Sequence, residues 1–427
     1  MRRSISVSNS IGWGPVNSIL ARIIAIPTFR SLRQPAYRLF LSGQILSLIG
    51  TWMQTMAQAW LVYQLTHSSV WLGTIGFLNT FPMLLFAFYG GSVADRFPKH
   101  RIILITQILS LIQAVILTAL VFFDVVTVTM VCALAFTLGT INAFDVPARQ
   151  SFLPELVGKE NIANSIALNS ATFNAARIIG PAIGGVIIGA VGVVWCFFFN
   201  ALSFVAVIIV LLKIKPDSAP QSPKERIGVL KGLKESMLYV RSDRSMIVVL
   251  VLVAVITVFG WSYTVLLPIF ADSILKIGAV GLGNLMMSFG IGAFISAIFI
   301  ASSESRVRPS SFIYAGMALF VIGVSVFALS TNVAVSLYSL VLVGMGLIVF
   351  ISTANATFQR RAPDAMRGRV MGLYLLIFQG LAPFGHFGMG WVANMIGPQS
   401  AVLSGAAVCA VSGISMRLYM NSQRKNS

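Results

Sequence analysis

The sequence predicts an all-α membrane protein of twelve transmembrane helices in two pseudo-symmetric six-helix bundles. Three observations predict it: a composition too apolar for water, basic residues confined to alternate gaps between apolar runs, and an internal repeat of constant offset. Of the 427 residues, 57% are hydrophobic and 10% charged, against roughly 45–50% and about 25% in an average soluble domain. Mean hydropathy is +0.88. Runs such as Ile102 to Phe123 and Met246 to Phe270 are long enough to cross about 30 Å of hydrocarbon as helices. A closed barrel would also satisfy the backbone in lipid, but these runs lack its alternation.

Apolar runs between turn signals place the first six helices over 36–64, 70–92, 102–123, 127–149, 162–190 and 193–213. The second six follow over 246–270, 280–302, 309–330, 333–359, 368–392 and 398–420. This divides the chain into a basic segment 1–35, a bundle 36–213, a linker 214–245, a bundle 246–420 and a tail 421–427. The linker holds Pro216, Pro220 and Pro223, then Ile227, Leu230, Leu233, Met237 and Val240 at helical spacing, as in an interfacial amphipathic helix.

A formal charge of +18 raises nucleic acid as a partner, and the placement of the charge excludes it. Arg and Lys gather at Arg2 to Arg38, Arg96 to Arg101, Lys213 to Arg244, Arg306 with Arg308, Arg360 to Arg369, and Arg424 with Lys425. The intervening gaps, near His67, Asp124, Gly192, Thr331 and Gly397, hold essentially none, Lys276 excepted. That alternation expects both termini in the cytoplasm. Arg22 interrupts the only apolar stretch of the first 35 residues, so they lack a cleavable-signal pattern and are expected to lie on the anionic leaflet. Cys132, Cys196 and Cys409 sit singly inside apolar runs and read as packing residues. No metal, cofactor, phosphate-loop or hydrolase motif is present, so no enzyme activity is expected.

The repeat is visible directly. Gly50 and Gly260, Val70 and Val280, Leu72 and Leu282, Gly73 and Gly283, and Arg96 and Arg306 are all 210 residues apart. Gln150 with Pro154 echoes Gln359 with Pro363, and Pro181 echoes Pro383, at a shifted offset. A duplicated membrane protein works across the interface of its repeats.

The turn after the second helix reads Gly90-Gly91-Ser92-Val93-Ala94-Asp95-Arg96-Phe97-Pro98-Lys99-His100-Arg101. Gly91 permits a tight turn, and Asp95 can accept hydrogen bonds at a neighbouring helix's N-terminus. The pattern of Gly, three residues, Asp-Arg and then basic residues resembles the loop signature of the major facilitator superfamily. Further on, Asp145 and Arg149 share a helix face around Pro147. With Gly50-Thr51-Trp52-Met53-Gln54 and Trp60 to Thr66, this segment is similar to the subfamily that includes the enterobactin exporter and related macrolide and multidrug exporters. In the fifth helix, Gly180, Pro181, Gly184 and Gly185 resemble the antiporter signature of drug exporters, and tight packing explains the glycines equally well.

The resemblance implies a multi-pass protein of a bacterial cytoplasmic membrane, expected as a monomer, that exports small organic molecules such as siderophores, macrolides or drugs by alternating access. It implies proton antiport and a latch at the cytoplasmic seam of the two halves, with Gly91, Asp95, Arg96, Asp145 and Arg149 as its residues. An importer or facilitator of the same fold, or a membrane sensor, stays open. Asp145, Asp95 and His386 are the candidate proton carriers; a structural ion pair for Asp145 and a buried, hydrogen-bonded state for His386 stay open beside that role.

The first helix carries Gln44, Ser47, Thr51, Gln54 and Gln58 on one polar face, which cannot face lipid. Adding 210 gives Thr257, Trp261, Thr264 and Pro268. Lining a central cavity and bonding to a neighbouring helix both satisfy this face. Arg177 lies near mid-helix, where an Arg costs about 2.5–3.5 kcal/mol, so it requires a cavity or a partner. An anionic or carbonyl-rich substrate, or neutral acceptors such as Gln54, would serve. The cavity candidates are therefore Gln54, Gln58, Thr51, Trp52, Arg177, Asn174, Trp261, Tyr263, Gln379 and Phe378, an aromatic and amide surface suited to a bulky amphipathic ligand. Met286, Met287 and Phe289 are read as packing.

Overall fold

The computed structural model describes residues 27–214, 229–302, 309–364 and 366–425, which are helical almost throughout. The first 26 residues, the prolines of the linker and Arg306, the repeat partner of Arg96, lie outside the described residues. The first half contains α1 (Pro35–Thr66), α2 (Ser69–Arg96), α3 (Lys99–Phe122), α4 (Val128–Val157), α5 (Ile162–Val191) and α6 (Val194–Lys213). The linker helix α7 (Val229–Ser242) leads to α8 (Arg244–Ile274). Then come α9 (Gly278–Ser302), α10 (Pro309–Leu329) and α11 (Val333–Arg361). The last two are α12 (Arg367–Ile396) and α13 (Pro398–Lys425). Among the described residues, eleven helices are long and apolar enough to cross a membrane. The long α1 falls outside that set because its stripe of Gln and Ser lowers its hydropathy.

Turn chemistry accounts for the joints. Thr127 and Asn332 accept backbone N–H bonds at the starts of α4 and α11, from Met130 and Val335. Asp243 accepts from the Ser245 and Met246 amides at 2.8 and 3.3 Å at the start of α8. Several helices differ from the sequence expectation. α2 continues to Arg96, so Gly91 lies inside the helix and the chain turns at Phe97 and Pro98. α4 runs through Pro147 and Pro154 to Val157, which removes the expected end near residue 149 and puts Asp145 about three turns inside the helix. α8 changes pitch, with π-helical turns over Ile256–Gly260 and Phe270–Ile274 and a 3-10 segment over Trp261–Leu266. α12 breaks at Leu381, where Pro383 in the next first turn supplies no amide.

α1 packs on α5 and α6, α2 on α4, and α3 on α4 and α6; in the second half α11 packs on α9 and α10, and α13 on α10 and α12. The most extensive contacts between the halves are α2 against α12 and α5 against α9. The repeat is visible in these contacts. Tyr63 and Ser273, 210 apart, meet at 2.6 Å, so they straddle the pseudo-twofold axis. Gly73 and Gly283 are also equivalent, and each is the contact glycine of its half. A methyl group on Gly73 would lie 2.7 Å from the His386 carbonyl oxygen and 2.9 Å from the Gly390 Cα; one on Gly283 would lie 3.2 Å from the Gly185 Cα.

These contacts all lie toward one face. Tyr63 also donates to Asp272 Oδ2 at 3.3 Å, and His386 Nδ1 is 3.3 Å from the Gly76 carbonyl oxygen. The other face carries both ends of the described chain, α7 and the arginine-rich loops, and there the halves diverge. A methyl group on Gly91 of α2, or on Gly368 or Gly372 of α12, would meet nothing within 4 Å. A cavity of about 520 Å³ opens between α2, α4, α7 and α12. The chain is closed at the opposite face and open at the basic one.

Candidate functional site at the seam of the two halves

Arg177 lies on α5 facing the second half. Its side chain is buried, with Nη2 donating to Asn174 Oδ1 at 2.7 Å, one turn earlier on the same helix. The guanidinium carbon sits 5.2 Å from the centroid of the Phe289 ring on α9. Trp261, on the 3-10 turn of α8, meets the edge of the same ring at 5.4 Å between centroids. Arg177, Phe289 and Trp261 therefore form one cluster across the two halves. Its unsatisfied groups are distinctive: among the described residues, Arg177 Nε and the buried Tyr263 hydroxyl have no hydrogen-bond partner. Among the described residues no carboxylate partners Arg177, and the buried cation is met by the Asn174 amide and the Phe289 ring.

Phe289 is the residue that sequence reasoning assigned to packing. Its partnership with Arg177 depends on how α9 meets α5, which no spacing within α9 encodes. Thr257, Trp261, Thr264 and Pro268, 210 residues on from the stripe of α1, do not lie along one regular helix in α8. The pitch changes of α8 send Thr264 Oγ1 back to the Trp261 carbonyl at 3.0 Å and leave Thr257 Oγ1 buried without a partner.

The polar stripe on α1 faces neighbouring helices of its own bundle. Gln54 Oε1 accepts from Asn200 Nδ2 at 2.7 Å, and Gln54 Nε2 donates to Gln113 Oε1 at 3.4 Å. Gln54 is consequently not the acceptor for Arg177; avoidance of lipid, the signal in the sequence, is met equally well by α3 and α6. Gln58 is buried with its Nε2 unpartnered. Thr51 Oγ1 donates to its own helix at the Ser47 carbonyl. Trp52 meets the edge of Phe173 at 5.6 Å, and its Cβ would be 2.7 Å from a methyl group on Gly180. Phe378 stacks on Tyr374, and Gln379 lines the basic-face cavity beside Leu84, Pro147 and Arg369, apart from the Arg177 cluster.

The helix 5 motif works as two packing surfaces. Gly180 and Gly184 receive α1 at Trp52, Met53 and Met56, while Gly185 receives α9 at Ala279, Val280 and Gly283. Pro181 lies within a helix that continues through it.

The Asp145 site is a sealed knot. Thr106 Oγ1 donates to Asp145 Oδ1 at 2.6 Å and Gln107 Nε2 at 3.3 Å. Arg149 pairs with Asp145 Oδ2 and donates to Gln44 on α1. α1, α3 and α4 are thus tied by one buried carboxylate, satisfied on both oxygens. Asp95 and Arg96 are exposed at the end of α2. Lys99, one of the basic residues clustered from Arg96 to Arg101, is buried and pairs with Glu155 at 2.9 Å, joining α3 to the extended end of α4. His386 is buried at the closed face, with Nε2 unpartnered. The three cysteines are free and buried.

Comparison with known proteins places this architecture. Residues 26–426 match the family described as transmembrane secretion effector. The staphyloferrin A transporter of Staphylococcus aureus is 25% identical over 84% of this chain and 89% of its own. The enterobactin exporter EntS of Escherichia coli is 24% identical over 80% of this chain and 81% of its own. The multidrug efflux pump Tap of Mycolicibacterium fortuitum is 25% identical over 83% and 88%. Among solved structures, the nucleoside transporter NupG superposes with a TM-score of 0.70 at 14% identity, covering 89% of this chain and 99% of its own. A bacterial homologue of the lysosomal transporter Spinster, inward-facing and unoccupied, gives 0.69 at 12% identity, over 95% and 96%. With two helical halves meeting at a seam and a family match spanning nearly the whole chain, this protein belongs to the transmembrane secretion effector family of major facilitator transporters.

Proposed function

We propose that this transporter exports small organic anions or oxygen-rich chelators from the cytoplasm by alternating access, with its basic face cytoplasmic. One observation carries the substrate class. Arg177 is a buried guanidinium at the seam, touching both halves, and among the described residues its Nε is unsatisfied and it has no carboxylate partner. An anion or carbonyl group placed there would satisfy Arg177 and the neighbouring Tyr263 hydroxyl, and its aromatic parts would meet Phe289 and Trp261. Siderophores and many drugs have this chemistry, and the relatives that carry such names support the reading. The excess of Arg and Lys at the open face supports its cytoplasmic placement, and the helix 5 glycines support export.

For the driving force, we propose proton antiport, with Asp145, Asp95 and His386 as the titratable groups. One observation favours a second reading. Asp145 is fully engaged by Thr106, Gln107 and Arg149, so the exported anion's own charge, worth about 2.3 kcal/mol per 100 mV, would supply the drive.

The test is uptake into inverted vesicles of a siderophore, a macrolide and a cationic dye, with an uncoupler and with the potential clamped separately. Arg177→Ala should lower kcat/KM for the transported anion about 10- to 150-fold, the value of a lost charged hydrogen bond. Arg177→Lys should recover part of it. Unchanged transport in both variants would remove Arg177 from the binding site.

A further inference from the structure

Away from the seam, the second half encloses a cavity of about 610 Å³ at its basic-face end, between α8, α10, α11 and α13. That size suits a ligand. Its mouth is cationic: Arg360, Arg361 and Arg417 line it together with Ser310 and Asn421, and no carboxylate is among the described lining residues. Its depth is apolar, walled by Val248, Val249 and Leu252 of α8 and Ile313 and Ala318 of α10.

The arginines are held in place. Arg417 lies over the Tyr314 ring at 5.9 Å, which fixes the plane of its guanidinium. Arg361 Nη1 donates to Asp243 Oδ2 at 2.6 Å, outside the lining. Arg360 Nε bonds the Ala356 carbonyl oxygen of its own helix at 3.3 Å. Among the described residues, these three guanidinium groups have one carboxylate partner, Asp243 on Arg361, and they gather round a hole whose floor is hydrocarbon. α10 also begins at this wall with Pro309 and Ser310, and the positive end of its dipole adds to the same field.

Like charges brought together over an apolar floor are stabilised by a compact anion that carries an apolar tail. The turns of α13 flanking Arg417 expose Ile414 and Leu418, 62% and 64% accessible, so the rim borders lipid as well as water. We propose that this cavity is a binding site for a phosphate headgroup, occupied by an anionic phospholipid of the basic-face leaflet. Its phosphate sits among Arg360, Arg361 and Arg417, and one acyl chain lies along the wall of α8 and α10. The site is separate from the Arg177 cluster and does not depend on the transported substrate.

The experiment uses the full chain purified in detergent, with phosphatidylglycerol, phosphatidylcholine and inorganic phosphate as probes. Native mass spectrometry should show phosphatidylglycerol adducts in preference to phosphatidylcholine. The double variant Arg360→Gln/Arg417→Gln should weaken that preference roughly 30-fold, as expected for two basic groups near an anionic surface. Arg417→Lys should keep most of it. Ala318→Phe fills the apolar wall, leaves all three arginines, and should also lose phosphatidylglycerol; it carries the test if the double variant fails to fold. Equal adducts in the wild type and in the folded double variant would overturn the site. If inorganic phosphate raises the melting temperature as much as phosphatidylglycerol does, and only when the arginines are present, the lipid assignment is overturned in favour of free phosphate.

Discussion

The closed face makes a quantitative prediction at Gly73. Replacing it with Val adds a Cβ that would start 2.7 Å from the His386 carbonyl oxygen and 2.9 Å from the Gly390 Cα. Both are backbone atoms, so no side chain can rotate away. Reaching ordinary van der Waals separation requires α2 and α12 to part by about 0.7–1 Å, and overpacking of that kind costs about 1–3 kcal/mol. The cost falls only on the state in which these helices touch. It vanishes when they separate, so the substitution should shift the equilibrium about 5- to 150-fold toward the conformation closed at the basic face. The reporter is a single cysteine at Gly91 or Gly372, whose Cβ positions face open space in the present conformation. The native cysteines are buried and contribute little background. In inverted vesicles, an impermeant maleimide should label Gly91→Cys rapidly, and adding Gly73→Val should slow that labelling by a factor that grows with, and cannot exceed, the shift in the equilibrium. Gly73→Ala should give a smaller change in the same direction. Equal labelling rates with and without Gly73→Val, in protein that inserts normally, would show that the contact of Gly73 with α12 does not define the conformational state.

Further outcomes follow from other contacts. Tyr63→Phe removes the bonds to Ser273 and Asp272; it should favour opening of that face by about 0.5–1.5 kcal/mol, read as slower labelling of the Gly91→Cys reporter. Glu155→Gln breaks the buried pair with Lys99 and should cost about 1.5–3 kcal/mol, measured by thermal unfolding in detergent; Lys99→Met/Glu155→Leu should recover most of it. Burial raises the Asp243 carboxyl, but hydrogen bonds from Arg361 and from the Met246 and Ser245 amides outweigh it and hold the group below its ordinary value. A depressed carboxyl contributes stability that is complete at neutral pH. That contribution is lost as the pH falls from about 4 through the lowered value, so the joint of α7 and α8 should become protease-sensitive in acid. Asp243→Asn should be sensitive at neutral pH and flat across the range.

How far the sequence reaches depends on whether a signal is local or tertiary. The repeat is a property of the chain itself, and its offset reappears as the meeting of Tyr63 with Ser273. Asp145 and Arg149 share a face because one turn separates them, which the helix preserves despite Pro147. The polar face of α1 is legible as a face, but its direction is not: lipid avoidance sends it inward, and Asn200, Gln113 and Arg149 decide what inward means. Lys99 carries the same ambiguity, since a basic residue at a loop counts as a topology signal whether or not Glu155 lies within reach. The pitch changes of α8 replace a stripe that was inferred from a regular period, and Phe289 gains its role only through the packing of α9 on α5.

The way the seam is built bears on how a ligand can move it. At the closed face the halves are joined by glycine backbones at Gly73 with Gly390 and at Gly185 with Gly283. The polar links there are Tyr63 to Ser273 and Asp272, and His386 to Gly76. Neutral hydrogen bonds contribute only about 0.5–1.5 kcal/mol each, so a few such links hold a face that can also open. A ligand shifts such a balance only by binding the two states differently. The Arg177 cluster is built for that difference, because the guanidinium and Asn174 belong to the first half, whereas Phe289 and Trp261 belong to the second. When the halves rotate, the cation moves relative to its aromatic face, and an anion held on the unsatisfied Nε experiences a different set of neighbours. On the proposed reading, charge recognition and conformational bias reside in the same four side chains. It follows that Phe289→Leu, which keeps the apolar volume and removes the ring, should weaken substrate-dependent protection of the Gly91→Cys reporter more than it weakens protein stability; equal loss of both would mean that the ring only packs.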